Sequence, residues 1–105
     1  MINVTVKKRQ NEYLSLRVKG HSGYAESGSD IICAAVSVLT INLENSLEKF
    51  TNASFVSKED DGFVEITFNE KLDDNAELLM NSYLLGIKDI LSENADYINL
   101  IIKED

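Results

Sequence analysis

The sequence predicts an α+β fold, a two-layer sandwich of about five strands with two helices on one sheet face, in the order ββαββαβ. Three observations lead there. Short runs alternate apolar and polar residues, as half-buried strands do. Two longer stretches instead repeat apolar residues at helical spacing. No proline interrupts either kind of run. With 105 residues and 44% hydrophobic content, the chain can bury one core. Residues 1–105 read as a single domain, without an internal boundary, repeat or low-complexity segment.

Ile2, Val4 and Val6 form the first alternating run. Lys7 to Glu12 is polar and is expected to turn. Leu14, Leu16 and Val18 alternate again and stop at Gly20, which gives a hairpin. From Gly20 to Asp30 there are three glycines, three serines and no periodicity, the composition of a long loop. Asp30 is a suitable N-cap, and a helix is expected from there to about Phe50. Its first half, Ile31 to Leu43, is apolar nearly all round, which predicts burial on several sides. Phe55-Val56 and Val64, Ile66 and Phe68 flank Glu59-Asp60-Asp61-Gly62. Asp-Gly between apolar runs marks a second hairpin. A second helix is expected from about Asp73, with Ala76, Met80, Tyr83, Ile87 and Leu91 on one face. Ile98, Leu100 and Ile102 supply the last strand.

The net charge of −8 argues against generic nucleic-acid binding, which needs clustered Lys and Arg. It favours basic partners. One cysteine cannot form an internal disulfide, which points to a reducing compartment. The alternating N-terminus does not read as a signal peptide. No segment is expected to approach the ~20 apolar residues of a membrane span. The expectation is a cytoplasmic protein that needs no membrane.

The chemistry concentrates on two residues, the single histidine His21 and the single cysteine Cys33. If Asp30 caps the helix, Cys33 falls in its first turn, where the helix dipole stabilises a thiolate and free N–H groups face an oxyanion. His21 stands at a strand end and can take the thiol proton and later return it to a leaving amine. The glycine-containing loop between them can open for a substrate and close over it. Each residue alone also has a plainer reading, Cys33 as a small core residue and His21 as a solvated one. Ser37 lies one helical turn after Cys33 and can bond the thiolate, the imidazole or a backbone carbonyl. Asp30 is either a simple cap or the group that orients His21. Tyr24 is a candidate for substrate contact or for packing the loop. Two other classes remain open at this point. One is a non-catalytic assembly factor that binds a basic protein. The other is a metal site, in which carboxylates such as Glu26 or Asp30, or a dimer partner, would have to join His21 and Cys33.

Gly20-His21, the Gly- and Ser-containing loop, and the run Gly28-Ser29-Asp30-Ile31-Ile32-Cys33-Ala34-Ala35-Val36-Ser37 resemble the ribosomal-processing cysteine protease Prp family. The family pattern is Gly-His, a short loop, then Gly-x-Asp-[Ile/Val]-[Ile/Val]-Cys-Ala-[Ala/Gly]-x-Ser. Ser22 departs from it, since the family often has alanine there. The resemblance implies a cysteine endopeptidase that removes the N-terminal extension of the large-subunit ribosomal protein L-twenty-seven during ribosome assembly. It maps the catalytic pair onto His21 and Cys33, with Asp30 and Ser37 in support. It also implies a homodimer and a loop, here Ser22, Gly23, Tyr24 and Gly28, that rearranges around the substrate. The segment cleaved by such enzymes is apolar and aromatic before the scissile bond, small at it, and basic after it. No cofactor or metal is implied.

Overall fold

The computed structural model describes residues 1–20 and 27–105, the side chains of Ser27 to Asp30 excepted. Its elements are β1 (Ile2–Arg9), β2 (Glu12–Lys19), α1 (Ser27–Phe50), β3 (Phe55–Asp60), β4 (Phe63–Phe68), α2 (Asp74–Glu93) and β5 (Ile98–Glu104). This is the expected ββαββαβ order. The strands form one mixed sheet, β3-β4-β2-β1-β5, in which only the β1–β5 pair is parallel.

Register turns the alternation of each strand into one apolar face. Val4 stands opposite Val18 and Leu100, Val6 opposite Leu16 and Ile102, and Leu16 opposite Ile66. Val4, Val6, Leu16 and Ile66 are fully buried beneath the helices. Ile32, Val36, Thr40, Leu43 and Leu47 of α1 complete that core with Ala76, Met80, Tyr83, Leu84 and Ile87 of α2. Thr40 is the one buried polar residue among those described, and both ends of its hydroxyl are used. Its Oγ1 donates to the Val36 carbonyl at 2.7 Å and lies 2.9 Å from the Tyr83 hydroxyl. Burial pushes the Tyr83 phenol up to about 12, so the hydroxyl stays protonated and bonded to Thr40.

Several boundaries differ from the sequence reading. The polar stretch after Val6 does not all turn. β1 continues to Arg9, and only Gln10 and Asn11 make the corner, both with positive φ. Such angles suit a two-residue hairpin, because that turn follows the right-handed twist of its strands. A bulge between Lys7 and Lys8 shifts the register, so Tyr13, not Leu14, is the buried start of β2. Helix α1 begins at Ser27 rather than after Asp30. Its apolar first half is not buried on several sides. Ile31, Val38 and Ile41 are exposed, and only the stripe facing the sheet and α2 is covered. Ile31–Phe50, with a mean hydropathy of 1.3, is long and apolar enough by length and composition to cross a membrane, contrary to the expectation that no segment approached this. The core stripe accounts for part of that apolarity and the exposed stripe for the rest.

Helix α2 starts as its sequence suggests. Asp73 caps it, accepting the Ala76 N–H at 2.7 Å, and its other oxygen accepts the Asn52 N–H at 2.9 Å. These two bonds favour the carboxylate and hold Asp73 below its ordinary value of 3.8. A group depressed in the folded state contributes stability above its unfolded value and loses it as pH falls through the folded one. Asp73→Asn, which keeps a capping oxygen, is therefore expected to lower the urea midpoint at pH 6 relative to wild type. The difference should shrink below pH 3.8. A difference independent of pH would remove the charge from this cap.

Candidate active site

Backbone hydrogen bonds close the end of the sheet where β2 stops and β4 starts. The Gly20 N–H donates to the Gly62 carbonyl at 2.9 Å, and the Ile2 N–H to the Tyr97 carbonyl at 2.9 Å. Gly20 has φ of 105° and Gly62 of 66°, conformations that side chains rarely adopt. At Gly20 a second constraint applies, since a Cβ there would overlap the Met1 carbonyl oxygen. Only glycine lets the chain leave β2 at this point.

Over this sheet end lies the start of α1. A cavity of about 220 Å³ opens between them. Ile2, Val18 and Val36 form its apolar wall, and Gly20 and Gly62 leave room in it. Cys33, Ser37 and Asp61 complete its lining. Cys33 is half-buried and packs against the core, while Ser37 and Asp61 are exposed. The structure thus brings Cys33 and Ser37 to one cavity. Cys33 serves as core packing and as cavity lining at once, so the two readings of it are not exclusive.

Other expected site features move. Cys33 is the seventh residue of α1, in the second turn rather than the first. The N–H groups without helical partners belong to the first four residues, 27–30. The dipole acts chiefly within that first turn, and Cys33 lies beyond it. Asp30 stands inside the helix and does not cap it. Gly28, expected in the substrate loop, is helical. The connection between β2 and α1 is residues 20–26, shorter than the eleven-residue loop inferred from composition. His21, Ser22, Gly23, Tyr24 and Glu26 lie outside the described residues. Among the described residues no group of three His, Cys, Asp or Glu could hold a metal ion.

Sequence reasoning missed Asp61. The Asp61-Gly62 pair was read only as a hairpin signal. What places it at the cavity is register. Lys19 pairs with Phe63, so the next residue outward, Gly20, meets the turn. An anchored turn opposite the residue before a candidate base is a usable signal once the β2–β4 pairing is known.

Comparison with known proteins agrees with this geometry. The family model described as cysteine protease Prp matches residues 1–99. The chain is 28% identical to the ribosomal processing cysteine protease Prp of Bacillus subtilis (strain 168), over 91% of this chain and 92% of that protein. Two crystal structures share the whole architecture. One is SMU.848 from Streptococcus mutans, with a TM-score of 0.85, 32% identity, and coverage of 100% of this chain and 99% of that one. The other is an essential ribosomal processing protease Prp from S. aureus in complex with a covalently linked product peptide. Its TM-score is 0.89 at 25% identity, covering 98% of this chain and 100% of that one.

Gly20→Ala tests the sheet-end constraint. It combines a disfavoured φ with overlap on backbone that cannot yield cheaply. The expected loss is at least about 2 kcal/mol of unfolding free energy. Unchanged urea unfolding would show that the chain can leave β2 by another path.

Proposed function

Because the chain belongs to the cysteine protease Prp family, we propose that residues 1–105 act as one protease domain that trims the N-terminal extension of the ribosomal protein L-twenty-seven, with Cys33 as nucleophile and His21 as base. The observation that carries this reading is Cys33 itself. The only thiol in the chain lines a cavity at the sheet end, on the side where Gly20 leads into the only histidine. The covalently linked product peptide of the S. aureus relative supports acyl transfer to a side chain.

His21 takes the proton of the Cys33 thiol, and the sulfur attacks the scissile carbonyl. The carbonyl π electrons move to oxygen. As they return, the C–N bond breaks, and the His21 proton goes to the leaving amine. Water then attacks the thioester carbonyl, His21 takes its proton, and the thiolate leaves. Ser37 lines the same cavity as Cys33 and supports this pair, and Asp30, in the first turn of α1, is the candidate to orient His21.

The exposed apolar stripe Ile31, Val38 and Ile41 on α1, with Leu78 and Leu85 on α2, supports a homodimer formed through the helical layer. The reducing compartment expected from one cysteine fits a cytoplasmic site of action.

The decisive test is incubation of a peptide spanning the extension junction with the protein and with Cys33→Ala, read by mass spectrometry. Cleavage by wild type and at least a ~10³-fold loss in the variant are expected, since the nucleophile is removed. Comparable trimming by the variant sinks the assignment. A net charge of −8 should also steer a basic substrate, so kcat/KM is expected to fall as salt rises from low to physiological strength. A rate indifferent to ionic strength removes steering from the account.

A further inference from the structure

We propose that the sheet face turned away from both helices is a docking surface for single-stranded RNA. Cross-strand partners share a face, and the buried rows of Val4, Val6, Leu16 and Ile66 lie under the helices. The alternate rows therefore form the opposite, open face. Lys103 stands beside Lys7 there, and Arg17, Lys19 and Lys58 occupy the neighbouring strands. All five are exposed. They are half of the chain's ten Lys and Arg. The same rows hold two carboxylates, Asp60 and Glu65. Glu65 lies between Arg17, at 3.9 Å, and Lys58, its partner in register. Arg9, beyond the bulge, is paired with Asp105 at 2.8 Å and adds nothing. The face is thus positive in a chain of net charge −8. Much of the opposing acid, such as Glu44, Glu48, Asp74 and Glu77, is carried by the helices. Their outer side is more than ~10 Å away, beyond the screening length at physiological salt. The charge of the whole chain therefore does not describe what this face attracts.

Folding alone gives no reason for this arrangement. Like charges directly opposite each other destabilise a sheet, and Lys7 faces Lys103 on strands about 5 Å apart. An anion from outside removes that cost. Its chemistry follows from what stands between the cations. Asn3 and Asn99 are partners in register, and Thr5 follows in the next row. Phe63 is only half-buried, and the Arg17 guanidinium lies 5.1 Å from its ring centre. An acidic polypeptide would use the cations alone. Single-stranded RNA uses all three kinds of group. Its phosphates meet the lysines, its base edges and 2′-hydroxyls meet the amides and the hydroxyl, and a base stacks on the ring and guanidinium. A duplex offers no unstacked base to Phe63. The Cys33 cavity lies on the other side of the sheet, so RNA bound here leaves it open.

The test is fluorescence anisotropy of a labelled single-stranded RNA of about 12 nucleotides, titrated with the full chain. Binding with a Kd of about 10⁻⁵ M at low salt is expected. The slope of log K against log salt should be about −2 to −3, as for three or four phosphate contacts. Lys7→Glu combined with Lys103→Glu should weaken binding at least about tenfold. Lys49→Glu combined with Lys88→Glu makes the same change in net charge at exposed positions of the helices. That pair should leave affinity within about twofold of wild type. Phe63→Leu keeps an apolar side chain and should cost at least about fivefold. Circular dichroism confirms that each variant is folded. Absence of binding by wild type overturns the proposal. So does an equal loss in the two lysine pairs, or an undiminished affinity in Phe63→Leu. A poly-glutamate peptide that displaces the RNA at equal charge concentration also overturns it, and assigns the face to an acidic protein.

Discussion

The seating of α1 on the sheet is the contact from which the other features follow. Ile32 and Val36 are buried against strands whose apolar residues share one face, and Thr40, Leu43 and Leu47 continue the same stripe. Burying side chains of this size stabilises the helix position by about 1.5–3 kcal/mol each. That hold leaves the helix little freedom to rotate or slide. Cys33 follows Ile32 directly, so it sits about 100° round the helix from a fully anchored residue. Its half-buried place at the sheet end is a consequence of that anchoring. Thr40 sharpens the fit, because its hydroxyl must find Tyr83 of α2, which allows one rotation of α1 relative to α2.

The sheet end is built differently. It relies on backbone in conformations that side chains resist. Gly20 and Gly62 face one another through one hydrogen bond, and Met1 stands so close to Gly20 that no Cβ fits. Three separate parts of the chain converge there, the N-terminus, the end of β2 and the β3–β4 turn. Only the missing side chains leave a cavity instead of a filled core. The same two glycines thus bring the Asp61 turn beside Cys33 and keep the space between them open.

The outer face of the helical layer shows how composition and burial part company. An apolar residue is buried only if an element lies over it, and α1 has the sheet on one side and α2 on another. Ile31, Val38 and Ile41 turn toward neither. Their spacing of seven and three residues keeps them on one exposed strip of the helix.

Alternation with a period of two was enough to assign four of the five strands, and the Asp-Gly turn after Phe55-Val56 supplied β3. The stripe of α2, its start near Asp73 and the Asp-Gly hairpin were equally local, and the sequence alone determined them. The pattern from Gly20 to Ser37 likewise identified the family, since those residues are adjacent in the chain. Position within α1 was not local. Composition made Asp30 a good cap, yet the helix starts at Ser27, because Ser and Gly residues have weak local preferences that allow either conformation. The bulge that buries Tyr13 in place of Leu14 arises from pairing of β1 with β2, which no single strand encodes. Asp61 joins Cys33 only because β4 pairs with β2 in a register that sets Gly62 against Gly20. Contacts between residues far apart in the chain are properties of the folded sheet, and tertiary structure alone decided them.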